Sequence, residues 1–150
     1  MEWILGSKIT TDVFDRVQAK LGVKFPASYK ALVLENDGSV ATEGRTSFPD
    51  PFTNGRVEEV GLGQLVSFIP RDDDVDILWL HDKFKDVEPG LVTFATDGGG
   101  WKIAFDFRDA KSDPKVCLII NEVENPIPLA DSFDEYMEKA LANAAASISP

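Results

Sequence analysis

The chain has 150 residues, 43% hydrophobic and 27% charged, with 15 basic against 26 acidic side chains and a formal net charge of −11. A chain this long buries roughly two-thirds of the surface its unfolded form exposes, enough for one core without disulfides or a structural metal. The charge speaks against direct nucleic-acid binding, which needs a basic face. Cys117, the only cysteine, excludes an intramolecular disulfide and fits a reducing compartment.

The opening MEWILGSKITTD has no basic flank, and its apolar run is Trp3-Ile4-Leu5 alone, so no secretory signal is expected. No apolar stretch approaches the length of a membrane span. A cytoplasmic location with no membrane partner is the expectation.

A first helix is predicted from Thr10, with Thr10 or Thr11 as cap, Ile9 and Phe14 as a staple, and Phe14, Val17 and Leu21 at helical spacing up to Gly22. A second follows, with Pro26 in its first turn, Tyr29, Leu32 and Val33 on one face, and Asn36-Asp37-Gly38 as the stop. Weak strand signals lie at Arg56–Val60 and Gln64–Ile69. A third helix is expected before Glu88-Pro89-Gly90, capped by an aspartate, with Val75, Leu78 and Trp79 facing inward.

The clearest sheet signal comes next. Leu91–Ala95 reads as a strand. Trp101, Ile103, Phe105 and Phe107 alternate with Lys102, Ala104, Asp106 and Arg108, predicting a strand with one apolar and one wet face. Val116–Ile120 is apolar throughout, as a strand covered on both faces is, and Asp109–Pro114 is a turn between them. Ser132 and Glu135 form a capping-box pattern before a last helix whose apolar face is Phe133, Tyr136, Met137, Ala140, Leu141 and Ala144. The order predicts an α+β single domain over 1–150, a largely antiparallel mixed sheet packed by helices, with an ordered core at about 3–143 and a frayed tail at 144–150.

Asp97-Gly98-Gly99-Gly100 needs a decision between cradle, metal loop and turn. The glycines lead into a strand, so no helix N-terminus is offered to a phosphate. Asp97 and Asp106 lack the spacing of a calcium loop, and one histidine with one cysteine cannot hold zinc. A turn whose glycines permit positive φ accounts for every residue, so Asp97, Gly98, Gly99 and Gly100 are assigned a structural role. His81, the only histidine, lies in an apolar helical stretch with no nucleophile context, so no catalytic residue and no cofactor are assigned.

The acids are unevenly placed. From Val116 to Glu138 there is no Lys or Arg, while Glu122, Glu124, Asp131, Asp134, Glu135 and Glu138 are present; a second cluster is Asp72, Asp73, Asp74 and Asp76. Such an excess commonly serves solubility, but its concentration in two zones suits a basic protein partner. Glu122, Glu124, Asp131, Asp134, Asp72, Asp73 and Asp74 are the candidate partner-binding residues. Glu122 and Glu124 are expected near a sheet edge, and Asp134 also suits the helix dipole.

Three blocks together resemble a known family. Leu21-Gly22, Phe25-Pro26, Tyr29 and Leu32-Val33, closed by Asn36-Asp37-Gly38, are similar to the opening of the SUKH superfamily. Pro89–Ala95 with Asp97-Gly98-Gly99-Gly100 and Asp106 resembles its middle, and Ser132-Phe133-Asp134-Glu135-Tyr136-Met137 its closing helix. Asp37 stands where the pattern usually has Asn. The resemblance implies a non-catalytic protein-binding module. Bacterial members are mostly immunity proteins that neutralise toxins, often nucleases, and a fungal relative regulates cell-wall synthesis as an interaction module. A cytoplasmic immunity protein for a basic, nuclease-type toxin is the expected function, with a regulatory or scaffolding module as the alternative.

Overall fold

The computed structural model describes residues 2–148 except 53, 55, 72–74 and 121–124, and gives no side-chain placement for 143–148. In chain order the elements are β1 (Trp3–Ile4), α1 (Thr11–Leu21), α2 (Ala27–Asn36), β2 (Val40–Ala41), β3 (Arg45–Pro49), β4 (Val57–Gly61) and β5 (Gln64–Leu65). There follow α3 (Ile77–Phe84), β6 (Leu91–Thr96), β7 (Lys102–Asp106), β8 (Lys115–Ile119), β9 (Ile127–Ala130) and α4 (Phe133–Ile148). Seven strands form one antiparallel sheet in the order β1-β2-β5-β6-β7-β8-β9, and β3 and β4 form a separate hairpin. The architecture is the α+β fold expected from the sequence.

Local chemistry sets the helix ends. Thr10 accepts the Val13 amide at 3.2 Å, and Gly22 closes α1 at φ +70° with its amide on Gln18 and Ala19. Pro26 occupies the cap position of α2, one residue earlier than predicted, where its missing N–H costs nothing. Asp76 caps α3, its Oδ1 accepting the Trp79 amide at 2.8 Å.

The front face of the sheet carries the core. Val92, Phe94, Ile103, Phe105, Val116 and Leu118 meet Phe14, Phe25 and Tyr29 from the α1–α2 hairpin and Phe133 and Tyr136 from α4. Phe94 and Phe105 stack at 4.2 Å, Phe14 and Phe68 at 4.7 Å, and Tyr29 meets Phe105 edge-on at 4.9 Å.

Several expectations need correcting. β1, β2, β3 and β9 carried no recognised signal, and of the predicted 64–69 strand Gln64–Leu65 joins the sheet while Ser67 makes an isolated parallel bridge to Asp76. Two-residue strands have no period to detect, while Pro49 and Pro128 read as breakers although proline is tolerated at a strand end or on an edge strand. Val75 and Trp79 are 47% and 50% exposed, and Ile77 is the fully buried residue instead. Because the helix starts at Ile77, Val75 precedes it, and a 100° step per residue turns Trp79 outward when Ile77 faces in. On α4 the buried stripe is narrower than expected: Phe133, Tyr136 and Ala140 are buried, but Leu141 is 43% exposed. The side chain of Ala144 lies outside the described residues.

Candidate partner-binding face

The glycine loop joins β6 to β7 as a hairpin connection. Asp97 Oδ1 accepts the amides of Gly99 (2.8 Å) and Trp101 (3.0 Å), and its own amide bonds the Trp101 carbonyl. Gly98 and Gly100 sit at φ +88° and +105°, which a side chain resists; Gly99 does not. Asp97 precedes β7 and Asp106 ends it, so the strand separates them, and Arg108 engages both Asp106 oxygens at 2.7 and 2.9 Å. That hydrogen-bonded arginine holds the Asp106 carboxyl below its ordinary range.

The back face departs from the alternation read in the sequence. Register places Leu91, Thr93 and Thr96 beside Asp106, Ala104 and Lys102, and those beside Lys115, Cys117 and Ile119. This face was expected to be wet, yet Lys102 is 6% exposed and Ala104 fully buried. The cover is α3 and its following turn. Lys102 Nζ donates to Glu88 Oε2 and Oε1 at 2.7 and 2.8 Å and lies 3.5 Å from the centre of the Phe84 ring. A lysine is tolerated there because a carboxylate and an aromatic face replace the water it loses. Burial pushes the Cys117 thiol up to about 12. His81 of α3 is half-buried, its Nδ1 has no hydrogen-bond partner among the described residues, and burial, then Lys85, lower its pKa.

This cover is incomplete. A cavity of about 420 Å³ lies on the β8 side, lined by Phe84, Val87, Leu91, Arg108, Ile120 and Asn125 among others. Another of about 410 Å³ lies on the β5 side, lined by Leu65, Val66, Val75, Leu80, Phe84 and Lys102 among others. Phe84 stands between them. Val87, 74% exposed, borders the first cavity, and half-exposed Val75 lines the second.

A buried clasp sets the approach to α3. Asp37, at the end of α2, is fully buried. Its Oδ1 accepts the Phe68 amide at 2.8 Å, and its Oδ2 lies 2.9 Å from the Ser67 hydroxyl. Arg71 donates to the Asp37 carbonyl and to the Ser7 and Ser67 hydroxyls, with Nη2 also 3.5 Å from Asp37 Oδ2. Burial raises the Asp37 carboxyl above its ordinary range against the opposing effect of Phe68, Ser67 and Arg71. Gly38 sits at φ +70° with Arg71 so close that a Cβ would lie 2.9 Å from its Nε. Three chain segments thus meet where the sequence showed only a helix stop.

Of the candidate partner-binding residues, Asp131 and Asp134 lie exposed at the start of α4. Ser132 accepts the Glu135 amide at 3.1 Å, and Glu135 reaches back to the Asp131 amide at 3.3 Å while pairing with Lys139. Asp72, Asp73, Asp74, Glu122 and Glu124 lie outside the described residues. Their covalent neighbours do not. Val75 lines the β5-side cavity, and Ile120 and Asn125 both line the β8-side one.

Sequence reasoning missed the Lys102–Glu88 pair and the Asp37–Arg71 clasp. A usable signal for the first was present: β8 was read as covered on both faces, and Ala104 is its cross-strand neighbour through Cys117. A strand paired with a doubly covered strand shares that cover.

The model of the family described as SMI1 / KNR4 family (SUKH-1) matches residues 8–139, from just before α1 into α4, and the chain belongs to that family. A search of curated proteins gave no match. Membership supports a module of the immunity-protein or regulator type. Among the described residues no helix is long and apolar enough to cross a membrane.

Proposed function

We propose that this SMI1 / KNR4 family member is a non-catalytic, cytoplasmic immunity protein that binds and neutralises a basic, nuclease-type toxin through the back face of its sheet. The observation that carries the reading is the position of the two cavities. Each is lined by a direct chain neighbour of an acidic stretch, Val75 after Asp72–Asp74 and Ile120 and Asn125 around residues 121–124.

An interface of this kind has two parts. Concave apolar walls take anchor side chains, which dominate binding energy when desolvated. Acidic residues outside them speed encounter with a basic surface and give it salt dependence. A nuclease carries positive charge to hold phosphate, so an excess of 26 acids over 15 bases suits it. Asp131 and Asp134 extend the acidic surface on α4. The buried, raised Cys117 thiol and the half-buried His81 fit a binding role better than a chemical one.

The test is a search of the neighbouring genes for a toxin domain, followed by its association with the chain at low and moderate salt, for the wild type and the E122K/E124K double reversal. The reversal is expected to slow association and flatten its salt dependence while the thermal midpoint barely moves. Unchanged association by a folded variant would remove Glu122 and Glu124 from the interface. A neighbouring toxin that does not bind at all would favour the regulatory module instead.

A further inference from the structure

The β3–β4 hairpin ends in an open strand edge. Its register pairs Arg45 with Gly61 through Pro49 with Val57. At its ends the Asp50 amide bonds the Arg56 carbonyl (2.8 Å) and the Leu62 amide bonds the Gly44 carbonyl (3.0 Å). Antiparallel ladders alternate, so Glu58 and Val60 exchange bonds with β3 while the N–H and C=O groups of Val57, Glu59 and Gly61 point away from it. β3 packs on α4 and β9, which leaves β4 as the outer strand. Among the described residues, no backbone bond outside the β3 ladder is made by those outward groups. Val57 is 68% exposed and Phe52, beyond the strand, 60%.

We propose that the β4 edge accepts an extended, basic strand from a protein partner, adding a third strand to the hairpin. Unpaired edge groups are a template for strand addition, which draws affinity from main-chain hydrogen bonds and selectivity from alternate side chains. Charge selects the occupant. β4 itself carries Glu58 and Glu59 and no base, on a chain of net charge −11. The contacts of Arg45 to Glu59 and Arg56 to Glu58, each 3.6 Å, are exposed and offset little of that charge. A second copy of the chain fits badly: antiparallel self-pairing centred on Glu59 sets two Glu59 carboxylates directly opposite, a destabilising arrangement. A lysine or arginine opposite Glu59 reverses that sign. The edge lies on the α4 side of the molecule and does not rest on the toxin reading of the back face.

The probe is the capped peptide acetyl-KVKVKVK-amide against the same peptide N-methylated at the backbone of its third and fifth residues, both lysines, equally charged, whose residues opposite the outward groups of β4 can no longer donate to them. Amide exchange of the full chain, resolved by residue, is expected to slow by about tenfold at Val57, Glu59 and Gly61 with the first peptide and not with the second. Glu59→Pro removes an outward donor that β3 does not use, so protection and binding should be lost with the thermal midpoint held. Glu59→Gln keeps the donor and should retain protection with weaker affinity. Equal binding of the two peptides, or protection elsewhere than β4, overturns the proposal, and that comparison stands even if Glu59→Pro fails to fold. A dimer in sedimentation that Glu59→Pro dissolves would make the occupant a second copy and overturn the basic partner.

Discussion

The two faces of the seven-stranded sheet are built from the same strands by different means. On the front, Phe94, Phe105 and their neighbours pack against rings from three helices. Burial of this kind is non-directional and needs only apolar side chains of fitting volume. On the back, the alternate residues of the same strands are closed over by one eight-residue helix and its following turn. Directed contacts hold that cover, chiefly Lys102 to Glu88 and Lys102 to Phe84, with the Asp37–Arg71 clasp at its approach. Cavities of about 420 and 410 Å³ remain beside it. The front face is packed throughout; the back face gives up packing and keeps the concave surface that is proposed to receive a partner.

The largest effect should come from the front. Phe105→Ala is expected to destabilise the fold by about 3–5 kcal/mol in urea unfolding, because the ring is fully buried and its neighbours cannot close the space. A loss under about 1 kcal/mol would mean that the aromatic cluster is not the stabilising core.

On the back, Lys102→Met should cost about 3 kcal/mol by leaving the Glu88 carboxylate uncompensated, the low end for a broken buried pair because Glu88 keeps some solvent. Replacing both residues, K102M/E88L, should return stability to within about 1 kcal/mol of the wild type. Additive losses in that double-mutant cycle would show that the two side chains act separately, and the contrast between the faces would weaken.

The smallest effect sharpens the comparison through pH. The folded-state pKa of Asp106 is depressed, so its pair with Arg108 contributes stability above the ordinary carboxylate range and loses it as pH falls through the depressed value. Arg108 is half-exposed, so the contribution should not exceed about 1 kcal/mol. Asp106→Asn should therefore be slightly less stable than the wild type at neutral pH and match it in strong acid. A constant offset in thermal unfolding across that range would assign the effect to packing rather than charge.

The sequence by itself determined the helices, their caps and the front half of the core. Thr10, Gly22 and Ser132 act within a few residues of themselves, and Ile103 and Phe105 declare their face by a period of two, so the information is local. It also carried the family pattern and the acidic excess. The narrower stripe of α4 and the outward turn of Trp79 were not readable, because helical spacing gives a face but not which part of it a neighbour covers. Tertiary structure alone decided the back face. Lys102 looks like a solvated lysine until Phe84 and Glu88, 18 and 14 residues earlier, arrive above it. Asp37 looks like part of a stop until Arg71, 34 residues on, closes over it. The open edge of β4 likewise depends on which strands fail to reach it. Burial of a polar group depends on who its neighbours are in space, and those neighbours come from segments whose own patterns carry no mark of the meeting.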